Sequence, residues 1–491
     1  MVKAKSFSIL MVLALVLSLG AVIMTQRQAL AQPPQDWAKT YGGNNEDKGY
    51  AVQQTSDGGY IVAGSTESFG AGGSDFWVFK LKTNGDVEWQ KTYGGTEHDR
   101  ARAIQETSDG YIVAGSTYSF SQGEDDFWVL KLKPDGEVEW QKSYGGRDRD
   151  FCTSLQKSSD GGYIVAGCTQ TFGGGGGNFW VLKLDSSGAV TWEKTYGGTN
   201  FDSAYSIQET TDGYVVAGRT HLFGTGGDMW LLKLDKDGNV NWQKTYGGTD
   251  WDSANSVRQT SDGYIVAGAT VSFGAGSANF WVLKLDTSGN VVWQKTYGGS
   301  DSDQATSIQQ SSDGGYIVTG STESFGAGDK DFWVLKLDSG GNVNWQKTYG
   351  GSEWEQAWSI QQDSDGGYVV AGSTESFGVG NYDFWILKLN EGGSIPECPL
   401  GVDSAASITT SNVTASNTDI SGANSTAVVD STNVTPSDSH CTIETQCSTP
   451  PPVGGEAYPI NRLGLLAPWI AVVMAIIAGT AIFIKRSRVQ I

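Results

Sequence analysis

Seven carboxylates recur at one offset after a Gly-Gly pair: Asp47, Asp99, Asp150, Asp202, Asp252, Asp303 and Glu355. Gathered round an axis, such a ring would hold a cation. The simpler reading is that each acid caps the turn before it by accepting backbone N–H bonds. Recurrence in every copy favours the turn, because a site usually needs asymmetry. A second set comprises Asp75, Asp126, Asn178, Asp228, Asn279, Asp331 and Asp383. An Asx turn permits that exchange of Asp and Asn, whereas a charge-dependent metal ligand resists it. Lysine recurs too, at 80, 131, 183, 233, 284, 336 and 388. A nucleophilic lysine needs one special environment, so seven alike read as structural, paired with a repeated acid. The chain has three histidines and five cysteines with no Cys-x-x-Cys pair, which argues against zinc. No triad and no isolated acid pair escapes the repetition. Neither a catalytic residue, nor a metal, nor a cofactor is therefore expected.

Chemistry specific to single copies lies in the residues that break the pattern. His98, Arg149, Phe201, Trp251 and Trp354 stand just before the repeated acid, and Tyr50, Arg102, Tyr205 and Trp358 lie one turn further in. Aromatics beside polar groups stack on sugar rings or anchor a peptide. The plainer role is to cover a neighbouring loop. Cys152 takes a small-residue position, and Cys168 lies nearly symmetric to it about the Asp160-Gly161 turn. A cross-strand disulfide and two buried thiols are both open.

The elements that carry these residues follow from a repeat. Trp-x-Lys-(Thr/Ser)-Tyr-Gly-Gly begins at Trp37, Trp89, Trp140, Trp192, Trp242, Trp293 and Trp345, in steps of 50 to 52 residues. A period of that size marks a supersecondary unit that must stack on copies of itself. One unit, Asp47 to Tyr93, reads as four short strands. An Asp-Gly-Gly-Tyr turn, a Gly-rich loop and a Thr-Asn-Gly turn join them. The array opens on a lone fourth strand at Trp37 and ends at Leu389 without one. The fold class expected is all-β. It is a seven-bladed β-propeller of four-stranded antiparallel blades over 36–395, closed by the N-terminal strand, plus a C-terminal transmembrane helix.

The segment Leu285-Asp-Thr-Ser-Gly-Asn-Val-Val-Trp293 resembles the repeat of pyrroloquinoline-quinone-type propellers. The whole unit resembles the secreted seven-bladed propeller repeats of archaeal and bacterial surface proteins, over about residues 36–390. The resemblance implies a propeller with a binding or structural role. Quinoprotein dehydrogenases also carry adjacent cysteines, and this chain has none.

The ends place the chain. Residues 1–31 read as a signal peptide, with Lys3 and Lys5 before an apolar run and Ala29-Leu30-Ala31 at the cleavage site. Residues 463–484 are apolar and long enough to cross a bilayer. Lys485, Arg486 and Arg488 lie in the 485–491 tail and assign that tail to the cytoplasm. Residues 396–462 form a Ser/Thr/Asn-rich stretch expected as a stalk, with sequons at Asn412, Asn424 and Asn433 for N-glycosylation. A net charge of −21 disfavours nucleic acid. The expectation is a cell-surface, single-pass protein whose propeller binds an extracellular protein or glycan without catalysis. An extracellular enzyme (quinoprotein-like or carbohydrate-active) and a structural envelope component are the alternatives.

Overall fold

The computed structural model describes residues 36–395, save 224–225, and short strands between 401 and 448. The expected signal segment, the apolar run 463–484 and the tail lie outside the described residues. In the first blade the strands are Asp47–Gln54, Tyr60–Thr66, Asp75–Leu81 and Val87–Tyr93, paired in that order. Six blades are built this way from consecutive chain. The seventh takes Glu355–Gln362, Tyr368–Thr374 and Asp383–Leu389 from the end of the array and Trp37–Gly42 from its start. The register there runs from Trp37 opposite Lys388 to Tyr41 opposite Phe384, so the N-terminal strand closes the ring as expected.

Both faces of each third strand are buried, because blades stack face to face. Trp77, Phe79 and Leu81 pack towards the seventh blade, while Phe76 and Val78 pack towards the second. The core is therefore seven clusters, each shared by two adjacent blades. Within them a third-strand Phe meets the Trp of the next blade, as in Phe76–Trp128 at 4.6 Å and Phe127–Trp180 at 4.7 Å between centroids. In the fourth blade Met229 takes the Phe position and joins the cluster around Trp281.

The repeated motif is a clasp between blades. Its Tyr hydroxyl donates to a glycine carbonyl in the third-to-fourth turn of the next blade. Tyr41 reaches Gly85 at 2.6 Å, Tyr144 reaches Gly188 at 2.7 Å, and Tyr349 reaches Gly393. The motif Trp indole donates into the same turn, as Trp37 does to the Thr83 carbonyl and Trp140 to that of Ser186. That turn needs glycine. Gly188 has φ +75°, and a Cβ there would lie 2.7 Å from the Trp140 ring.

The stretch read from composition as a stalk also contributes strands to the propeller. Gly401–Asp403 pairs with the outer strand of the sixth blade and Ser407–Thr409 with that of the fifth. The chain continues backwards round the ring until Thr442–Ser448 pairs with Trp37–Gly42. A polar, aromatic-poor segment cannot build a core, but its backbone can satisfy an open sheet edge. Asn424 lies in one of these strands, opposite Lys194. Asn412 and Asn433 lie outside the described residues.

Removing residues 36–43 should leave the seventh blade with an open edge and one clasp missing. A lowered Tm and aggregation in size-exclusion chromatography are expected. A variant as stable and monodisperse as the parent would refute closure by this strand. Tyr144→Phe should strand the buried Gly188 carbonyl and cost about 1–3 kcal/mol in denaturant unfolding.

Candidate binding site on the propeller axis

Every innermost strand carries a β-bulge at the third residue after its repeated acid. In the first blade Gly49 pairs with Gly64 and Ala51 with Ala63, leaving Tyr50 unpaired. The same break falls on Arg102, Thr153, Tyr205, Asn255, Thr306 and Trp358. A bulge re-aims a side chain away from the regular alternation. All seven bulged residues line the axial shaft, where they border two chambers, of about 450 Å3 above and about 310 Å3 below.

The upper chamber collects most of the pattern-breaking residues. Tyr50, His98, Arg102, Arg149, Tyr205, Trp251 and Trp358 all line it. Tyr50 and Trp358 pack at 5.5 Å between centroids, and the Arg102 guanidinium lies 4.0 Å from the Tyr50 centroid. Arg149 is placed by Asp125, with Nε 3.0 Å from the carboxylate, and faces the Phe151 ring. Burial raises the pKa of Asp125 above the usual carboxylate range. The Ser74 N–H donates to His98 Nδ1 at 3.1 Å, which makes that nitrogen an acceptor.

Two expected residues are not brought in. Trp354 is 42% exposed on the rim, with Lys330 Nζ 4.5 Å from its ring. Phe201 packs over Gly177, with Arg219 5.8 Å above it. Sequence reasoning missed Asn255, Thr153 and Thr306, which stand in the same repeat column as Tyr50, and Phe151, which stands directly after its repeated acid. It also missed Arg258 in the lower chamber. The signal was present: Gln53, Gln105, Gln156, Gln208, Gln309 and Gln361 occupy that column in the other six blades.

The repeated acids are structural, as the turn reading has it. Asp47 Oδ2 accepts the Gly43 N–H and the Ser68 hydroxyl, both at 2.7 Å, and Glu355 Oε2 accepts the Gly351 N–H at 2.8 Å. The second set does not form the expected Asx turns but closes the loop before it, as Asp75 Oδ2 does by accepting the Ala71 N–H, four residues earlier, at 2.6 Å. The seven lysines each pair with the aspartate of their own blade's Asp-Gly turn at 2.6–2.9 Å, from Lys80–Asp57 to Lys388–Asp365.

Cys152 and Cys168 are not bonded to each other. Cys152 stands opposite Gly167 and Cys168 opposite Phe151, so the register differs by one residue. Such an offset sends the two side chains to opposite faces of the sheet. Each thiol is buried. Cys168 Sγ lies 3.4 Å from the Asp202 carbonyl, across the next blade interface, and burial pushes both pKa values up to about 12.

No family model matches the chain, and no curated protein matches it. Among solved structures it is similar to Sqt1 of Chaetomium thermophilum bound to the N-terminus of the ribosomal protein L10. The identity is 14%, the match covers 71% of this chain and 98% of that one, and the TM-score is 0.42. It is also similar to a eukaryotic initiation factor at 10% identity, with 78% and 98% covered and a TM-score of 0.30.

Acid pairs between blades give the fold a pH dependence. Burial raises Asp75 and Asp331 to about 6 and Asp126 and Asp228 to about 7, and a neighbouring carboxylate adds to each shift. Groups raised in this way stabilise the fold most below their unfolded pKa, and the contribution is lost as pH climbs through 6–7. The turn aspartates act oppositely. Although partial burial opposes it, hydrogen bonds from Thr55, Gly59 and Lys80 hold Asp57 at about 2, so its contribution is lost only as pH falls towards that value. Tm should therefore be highest near pH 4 and should fall as pH rises from there to about 7. Asp126→Asn, which installs the residue found at 178 and 279, should flatten part of that fall. A Tm that climbs steadily from pH 5 to 8 would contradict the assignment.

Proposed function

We propose that this chain is a cell-surface binding propeller, secreted and anchored by its C-terminal apolar run, whose upper axial chamber takes a protein or glycan ligand without catalysing its conversion. The observation that carries this reading is the convergence of Tyr50, Tyr205, Trp251 and Trp358 on one chamber. These aromatics come from four different blades, yet the fold assembles them around one axis. About 450 Å3 lies in the size range of small-ligand sites, so the chamber suits a saccharide or a peptide segment rather than a folded surface. Aromatic faces supply stacking area at low entropic cost, and Gln304 and Gln356 supply adaptable hydrogen bonds. The chamber's polar groups fit binding better than acid–base chemistry. Asp125 is committed to Arg149, and one ring nitrogen of His98 is committed to the Ser74 N–H.

The test uses the full chain on glycan and peptide arrays, followed by titration of any hit. Trp251→Ala and Trp358→Ala should each weaken binding tenfold or more, while Trp354→Ala on the rim should leave it within twofold. Equal losses at all three positions, or turnover of the bound ligand, would overturn the reading.

A further inference from the structure

The lower chamber of the shaft differs in charge from the rest of the molecule. The chain carries 54 acidic and 33 Lys or Arg side chains, yet the described residues lining this chamber include Arg102 and Arg258 and no aspartate or glutamate. The glutamine column adds to that bias. Gln53 Oε1 accepts the Glu106 N–H at 2.6 Å, Gln105 accepts that of Lys157 at 2.6 Å, and Gln156 that of Glu209. Gln208, Gln309 and Gln361 likewise accept from Gln259, Gln362 and Gln54. Each of the six thus uses its amide oxygen to tie one blade to the next. The amide NH2 groups, which can only donate, remain for the chamber these side chains line.

Arg258 stands where the seventh glutamine would be. It has no acceptor to offer the Gln310 N–H, so the ring of ties is open at this one step. Its Nη1 donates to the Val257 carbonyl at 2.8 Å, and no carboxylate among the described residues pairs with it. A guanidinium has five N–H donors and no acceptor, and holding it away from water without a counter-charge is costly. The described lining is therefore donor-rich and positively charged, with no carboxylate.

We infer that the lower chamber is a binding site for a small oxyanion, a tetrahedral inorganic anion or a carboxylate, held by Arg258 with the amide N–H groups of the glutamine ring. Arg102, stacked on Tyr50 at the border with the upper chamber, supplies a second charge from above. The site borders the aromatic chamber and shares the seven bulged residues with it, but its principal charge, Arg258, lines the lower chamber alone.

Arg258→Gln makes a discriminating test, because it completes the glutamine ring and gives the Gln310 N–H an acceptor. It should fold with a Tm at or above the parent's. Sodium sulfate and sodium acetate are titrated into the full chain at constant ionic strength, with Tm and heat of binding as readouts. The parent should show a saturable response to at least one of them. Arg258→Gln should weaken it tenfold or more, Arg102→Gln less, and a change at Arg100, which lines the upper chamber alone, within twofold when made as Arg100→Gln. Saturation by sulfate alone identifies a tetrahedral anion, and saturation by acetate alone a carboxylate. A parent response that is only linear, as salt exclusion gives, would overturn the inference. So would equal losses at Arg100 and Arg258.

Discussion

A tyrosine hydroxyl bonded to a glycine carbonyl in the next blade holds this structure to its geometry. The bond joins the outer edge of one sheet to the third-to-fourth turn of its neighbour and is buried, as at Tyr41, Tyr144 and Tyr246. Leaving either partner unmatched there would cost more than the bond is worth in water. The turn is therefore obliged to carry glycine at positive φ, and the strand to carry Trp and Tyr four residues apart. Because the last of these clasps joins Tyr41 to the first blade, the ends of the array are drawn together and the sheets become a ring.

Ring closure then dictates what the inside can be. Blades converge on the axis, so the innermost strands accept only small residues beside the bulge, such as Ala204 and Ser206. The bulge turns the residue between them into the shaft. In this way a scaffold held by the same contacts in every blade presents a ring of seven side chains of five kinds. The clasps and the lysine–aspartate pairs tolerate little change, while the bulged positions make different contacts in different blades: Thr153, Asn255 and Thr306 each donate to a carbonyl of the next blade, and Arg102 stacks on Tyr50. Tyr, Arg, Thr, Asn and Trp can all stand there.

Much of this was legible in the sequence. The period, the strand order, closure by Trp37–Gly42, the turn role of the acids and the pairing of the lysines all rest on local patterns repeated seven times. The aromatic chamber was partly legible, since Tyr50, Arg102, Tyr205 and Trp358 depart from their columns in an obvious way. Thr153 and Thr306 were passed over because they look like ordinary strand residues. Arg258 carries little signal of its own, because a polar column on a strand does not say which way its side chains face. The disulfide reading at Cys152 and Cys168 stood on symmetry about a turn, and the bulge that follows Cys152 is invisible to such counting. The strand pairing within 401–448 was not legible, because poverty in apolar residues bears on core burial and not on edge pairing.

The sequence by itself determined the units, because strand alternation, turn glycines and a 50-residue period are properties of contiguous chain. It determined the closure as well, since one strand was missing at one end and spare at the other. Only the tertiary structure decided which of the variable residues share a site. Trp251 and Trp354 occupy the same place in their repeats, yet one lines the chamber and the other lies on the rim, under Lys330. Only the tertiary structure set an uncompensated arginine among six amides whose oxygens are already engaged. The physical reason is the same in both cases. Proximity round an axis arises from contacts between blades some fifty residues apart, and nothing in a single repeat records which neighbour its side chains will meet.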